Sequence, residues 1–320
     1  MFEFFKKRNL TLYCTDTYVQ ILVLKGKKRN MRVGAYGQRN LSSGIIKNGE
    51  IMQEKQLAIE IITLLSELNI KDKNCLIALP KNHIFEHIIY MDSSLKKEAF
   101  TEKLEEEIKK IIPIPFQELK YTYSATTYGK AQAVYVVAIK KEIVAKYYEV
   151  LKSFCNLNPL VFESETSSLI RNVPIDLRED KGKILIEVLP NKTEWLILWK
   201  ENIFDSNTIS KTGDQDDIQI VTSDLLESII NFSNKTKRKI SDIYLIGDKE
   251  KAAIIGNSLE QSVKLKPQYL SDFRINLKTK KENLSTKFKV IGGLALHEMN
   301  QKNSLNLIPK NPKKGVARGG

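Results

Sequence analysis

Apolar and polar residues alternate through Leu10–Cys14 and again through Tyr18–Leu24, with Thr15-Asp16-Thr17 between the two runs. Alternation rich in β-branched and aromatic residues, broken by a short polar turn, predicts a β-hairpin. MRVGAYGQR at 31–39 adds a third strand. In QEKQLAIEIITLLSELNI the residues Leu57, Ile61, Leu64, Leu65 and Leu68 then recur at helical spacing. NCLIALP (74–80) reads as a short buried strand ending on Pro80, and 84–91 as another. Ser93 or Ser94 is placed to cap the helix KKEAFTEKLEEEIKK, which Pro113 and Pro115 end because proline has no N–H and clashes with the preceding turn. YTYSATTY and AVYVVAIK flank Gly129-Lys130 as two more strands, and EIVAKYYEVLKSF is a closing helix. Residues 74–155 thus read as a compact α+β module.

Downstream, PLVFESETSSLI (159–170) is strand then helix, and GKILIEVLPNKTEWLILWKENIFDSNTI holds three strands, like the opening of the chain. A helix over 215–235, the strand DIYLIGD, the helix KAAIIGNSLEQSV and a final helical segment FKVIGGLALHEM complete the pattern. Each half begins with a three-strand meander followed by α and β elements, an internal repeat that narrows the choice of fold.

Composition changes this picture only in part. Hydrophobic residues make up 42% of the 320, enough for a folded chain of one large or two modest domains. No apolar run approaches the roughly 18–20 residues needed to span a bilayer, and MFEFFKKRNL has the wrong order for a secretory signal, so a cytoplasmic location is expected. Phe2, Phe4 and Phe5 beside basic residues suit either a packed edge or a glancing membrane contact. Cys14, Cys75 and Cys155 read as buried thiols, and His83 and His87 as strand residues rather than metal ligands. The formal charge of +13 is scattered over turns and tails, at KGKKR (25–29), KTKRK (235–239), KTKK (278–281) and KNPKKGVAR. With no nucleic-acid motif, it favours an anionic surface as neighbour and not DNA or RNA.

Five further stretches, EEIKKIIPIPFQELKYTYS, NGEI (48–51), CLIALP (75–80), LNPLVFESETSSLIR (157–171) and VIGGLALHEM…SLNLIP, occur in an order that resembles the PilM family of type IV pilus assembly proteins. That family is actin-like and similar to the FtsA family of division proteins. The resemblance implies an α/β, actin-like (ribonuclease H-like) two-lobed fold with a small inserted α+β subdomain. Residues 1–73 and 156–180 would form the first lobe, 74–155 the insert, and 181–300 the second lobe with a final helix packing back on the first. A basic, flexible tail would occupy 301–320.

In that fold ATP and Mg²⁺ lie between the lobes, held by two hairpin turns and a glycine-rich adenosine loop. Glycine suits such turns because it lacks Cβ and accepts positive φ. Against the family pattern, Tyr13 stands where an Asp is expected, Thr15 where a Gly is expected, and Asp16, Thr17 and Tyr18 fill a turn of small residues. In the second lobe the family's Asp-X-Gly reads Glu187-Val188-Leu189, and Thr193 alone keeps its type. The adenosine loop IGDKEK keeps Gly247 beside Asp248 and Glu250. Asp16 could move in as a replacement metal ligand and Glu187 still carries a carboxylate, but bulky Leu189 and Tyr18 would fill phosphate space. The expectation is therefore a degraded nucleotide site, no cofactor, and no hydrolysis.

The resemblance also implies a partner, the amino-terminal tail of a PilN-like inner-membrane protein, held in a groove of the first lobe and the insert. That tail has an Ile-Asn-Leu-Leu-Pro-like core. This chain carries Leu305-Asn306-Leu307-Ile308-Pro309. The segment reads either as a packed final strand or turn, or as a mimic of the partner tail, in cis or on a neighbouring protomer. An actin-like ATPase with unorthodox loops and a scaffold like the cytoplasmic domain of a GspL-like protein are the other readings.

Overall fold

Two five-stranded sheets with one and the same strand order form the body of the protein. The computed structural model describes residues 8–26, 32–174, 179–210, 216–270, 287–297 and 305–308. The amino-terminal phenylalanines, KTKK at 278–281 and Pro309 lie outside the described residues.

In the first lobe, β1 (Arg8–Cys14), β2 (Tyr18–Lys25) and β3 (Arg32–Asn40) form the antiparallel meander, with Tyr13 opposite Gln20. A two-residue hairpin, β4 (Ile46–Lys47) and β5 (Glu50–Ile51), leads to α1 (Glu54–Glu67). β6 (Asn74–Leu79) returns parallel to β1, with Leu12 beside Ile77. The insert follows: β7 (Ile84–Asp92), α2 (Lys97–Ile111), β8 (Leu119–Tyr128), β9 (Ala131–Lys140) and α3 (Lys141–Glu149). β10 (Asn158–Ser164) then pairs with β6 and α4 (Glu165–Leu169) follows, so the sheet runs β3-β2-β1-β6-β10.

The second lobe repeats the scheme. β11 (Gly182–Val188), β12 (Lys192–Trp199) and β13 (Asn202–Ser210) are the meander, and α5 (Asp216–Thr236) leads to β14 (Ile240–Gly247). α6 (Lys249–Val263) and β15 (Gln268–Tyr269) complete the order β13-β12-β11-β14-β15. The last helix, α7 (Lys289–Ala295), belongs in space to the first lobe, against α4, β1, β2 and β6. Gly293 permits this, since a Cβ there would fall on the Ser168 backbone carbonyl.

The insert is a three-stranded sheet, β7-β9-β8, whose middle strand is buried on both faces. Val134, Val136 and Ala138 meet Phe100, Leu104 and Ile108 of α2, whereas Tyr135, Val137 and Ile139 join the first-lobe core. This explains why AVYVVAI is continuously apolar instead of alternating. Across the other lobe, Tyr90 and Tyr128 pack edge-on against Phe204 of β13, with ring centroids 6.1 and 5.3 Å away.

Local details depart from the sequence reading. Lys96, not Ser93 or Ser94, starts α2, and the serines belong to a turn held by Asp92, whose carboxylate accepts from the Ser94 N–H at 2.8 Å. The helix of EIVAKYYEVLKSF widens into a π turn over Val150–Phe154. The thiols of Cys14, Cys75 and Cys155 are free and buried, and burial pushes those of Cys14 and Cys155 up to about 12.

Candidate functional site

The β1–β2 turn closes on itself. The Thr15 hydroxyl accepts from the N–H of Thr17 at 3.3 Å and of Tyr18 at 3.1 Å, and donates to the Tyr18 carbonyl at 3.2 Å. The Thr15 N–H itself bonds the Tyr18 carbonyl at 2.9 Å. A side-chain hydroxyl thus takes up the amides that a phosphate-binding turn leaves free. None of Thr15, Asp16 and Thr17 adopts a positive φ, so the turn avoids the left-handed geometry for which glycine is favoured.

Asp16 faces another loop. Its two carboxylate oxygens accept from the N–H groups of Asn48 at 2.6 Å and Gly49 at 2.7 Å. Those residues, at φ +52° and +82°, are the central pair of the β4–β5 hairpin, for which Asn-Gly is the favoured choice. The Gly49 carbonyl accepts from the Tyr147 hydroxyl of α3 at 3.0 Å. The NGEI stretch therefore joins the first turn to the insert.

Between the lobes lies a cluster of charges. Glu187 on β11 and Glu194 on β12 are directly opposite one another across the strand pair. Lys81, the second residue beyond β6, reaches both: its Nζ is 3.4 Å from Glu187 and bonded to Glu194. Lys289 at the head of α7 also pairs with Glu187, and Lys192 with Glu194. Glu187 is only 5% exposed and Lys81 17%. Burial alone would lift the Glu187 carboxyl, but Lys81 and Lys289 more than reverse it and hold it below the usual glutamate range. Burial likewise opposes the charge on Lys81, and Glu187, Glu165 and Glu194 outweigh it, raising its pKa. Glu165, at the start of α4, has its pKa raised by burial, while Lys81 and a hydrogen bond from the buried Tyr13 phenol act against that rise.

The remaining singled-out positions are structural neighbours of this cluster. Leu189 sits half-buried in the β11–β12 turn, its N–H bonded to the Lys192 carbonyl at 2.9 Å. Thr193 is buried on β12 opposite Val188. Tyr18 lies half-buried against Tyr13, centroids 6.2 Å apart. Gly247, at φ +97°, is required because a Cβ there would fall on the Val188 carbonyl oxygen. Asp248 caps α6, accepting from the N–H groups of Glu250 and Lys251 at 3.1 Å each. Sequence reasoning passed over Lys81, Lys289, Glu165 and Glu194. The one available signal was a lysine just past the carboxyl end of a buried parallel strand, the edge where α/β sheets gather their functional groups.

The segment 305–308 docks in cis on the outer edge of β10. The Leu307 N–H bonds the Phe162 carbonyl at 2.8 Å. The Asn306 side chain accepts from the Phe162 N–H at 3.0 Å and donates to the Leu160 carbonyl at 3.1 Å. Leu305 and Leu307 are buried and Ile308 half-buried.

Repeated sheets, an insert between β6 and the edge strand β10, and a charge cluster where the two lobes meet define an actin-like, two-lobed protein. The sequence profile of the type IV pilus assembly protein PilM matches residues 14–191. The chain belongs to the PilM family. No curated protein matches it in sequence. Among solved structures it is similar to a PilM-PilN type IV pilus biogenesis complex, at 18% identity and TM-score 0.70, covering 91% of this chain and 98% of that one. It is also similar to the cytoplasmic domain of EpsL, an inner-membrane component of the type II secretion system of Vibrio cholerae, at 12% identity and TM-score 0.50, covering 94% and 98%.

Proposed function

We propose that this chain is a scaffold of type IV pilus assembly that docks the amino-terminal tail of a PilN-like inner-membrane protein and does not hydrolyse ATP. The observation that carries the second half is the state of the cleft. Glu187, the carboxylate at the family's Asp-X-Gly position, is bonded to Lys81 and Lys289. The turn amides that would meet phosphate are bonded to Thr15, Asp16 is bonded to the Asn48-Gly49 loop, and Asp248 covers the α6 amides. These residues do not fit a magnesium triphosphate. A phosphate bound at the first turn would have to displace the Thr15 hydroxyl from the Thr17 and Tyr18 amides.

The partner half rests on family membership and on a structural relative solved as a PilM-PilN complex. Among the described residues no helix is long and apolar enough to cross a membrane. Attachment to the inner membrane through the partner is part of this proposal. The test is calorimetry in two arms. Mg–ATP is expected to give no binding heat and no phosphate release. A peptide of the PilN-like amino terminus is expected to bind one-to-one. Turnover of ATP would instead establish the active-ATPase reading, and a silent peptide would remove the partner.

A further inference from the structure

Glu187 and Glu194 face each other on neighbouring strands of the second lobe, and like charges directly opposite in an antiparallel pair repel. Both are largely removed from water, at 5% and 12% exposure, which strengthens the repulsion. Lys192, from the same lobe, pairs with Glu194 alone. The cations that reach Glu187 come from the other side of the cleft: Lys81 from the end of β6, and Lys289 from the helix that packs on the first lobe. The second lobe thus carries a charge conflict that Lys192 offsets at Glu194, and that Lys81 and Lys289 offset at Glu187 from the first-lobe side.

Lys81 also sits at a junction. It follows Pro80 at the end of β6 and opens the short helical turn Lys81–His83 that runs into β7 of the insert. A side chain there joins first lobe, insert and second lobe at one point. Elsewhere the lobes meet through Tyr90 and Tyr128 on Phe204, and through Lys235 of α5, whose Nζ is 3.7 Å from the centre of the Tyr90 ring. Leu185, Leu198 and Tyr244 also join the first-lobe core, and none of these contacts reaches Glu187.

We propose that Lys81 is a built-in latch: bridging Glu187 and Glu194, with Lys289 assisting, it holds the two lobes closed on each other without any bound ligand. This rests on the reading of the cleft given above, but it is tested without nucleotide.

Spin labels are placed on the outer helices through Ser66→Cys on α1 and Glu227→Cys on α5, both exposed, and the interlobe distance distribution is measured by electron–electron double resonance. The parent is expected to give a single narrow peak. Lys81→Met, one atom shorter and uncharged, is expected to add a longer-distance population, Lys81→Arg to keep the narrow peak, and Lys81→Met with Lys289→Met to spread it further. A Lys81→Met distribution that superimposes on the parent overturns the latch. Should Lys81→Met not fold, Glu187→Gln with Glu194→Gln removes the repulsion and the bridge together. A broadened peak then supports the latch, and an unchanged peak overturns it. ATP turnover by the parent would overturn the non-hydrolytic reading and leave this result standing by itself.

Discussion

The Thr15 hydroxyl serves three backbone groups of one turn, so its loss leaves the N–H groups of residues 17 and 18 without their acceptor. Thr15→Val keeps the shape and removes the oxygen. Chemical denaturation is expected to show a loss of about 1–2 kcal/mol, the usual range for a lost capping or turn hydroxyl. Gly247→Ala combines a positive φ with a clash against the Val188 carbonyl, and about 2–4 kcal/mol is expected by the same measurement. At this scale the sequence was informative about substitutions but silent about replacements. That Thr15 and Leu189 depart from a glycine-lined pattern is visible in the letters. That Lys81 meets Glu187 is not, because 106 residues separate them and a lysine after a proline reads as a solvated turn.

At the level of elements, the short segment 305–308 covers the edge of β10, and a sheet edge left bare offers unpaired amides to other chains. The Asn306 side chain fixes it there through Phe162 and Leu160, and also accepts from the Ile308 N–H of its own segment at 2.9 Å. Asn306→Ala is expected to speed hydrogen exchange at the Phe162 amide by about tenfold or more, read by mass spectrometry or NMR, as for the loss of a part-buried bond worth about 1.5 kcal/mol. Unchanged protection would mean that the backbone contact of Leu307 suffices. Long strands and helices were legible because their periods repeat several times, as in Leu57, Ile61 and Leu64 of α1. β4, β5 and β15 were not, since two residues carry no period. α2 shows the other limit: its start is set by the Asp92 turn before it, which outcompeted two good capping serines.

For the molecule as a whole, several buried carboxylates draw stability from paired cations. Burial would raise Glu163, Glu187 and Glu194, but Arg171 in the first case and Lys81 in the others bring them below the ordinary glutamate range. A carboxyl depressed in the folded state contributes stability above its unfolded pKa and loses it as pH falls through the folded value. Glu165 and Asp205, raised by burial, return a part of that loss in acid. The urea midpoint is therefore expected to fall as pH drops below about 4, the unfolded glutamate range, and Glu187→Gln to shrink that fall. The doubled meander announced two lobes along the chain, because each half repeats the same alternation. The closed cleft between them did not show, since it depends on which strand ends meet after folding.

All three native thiols are shielded inside the first lobe and its junction with the insert. Alkylating and maleimide reagents attack thiolates they can reach, and here they find neither access nor ionisation. The folded protein is in effect chemically blank to such reagents. Cysteines introduced on its surface can be tagged selectively without removing the natural ones, and any slow uptake of reagent by the parent becomes a clock for its opening.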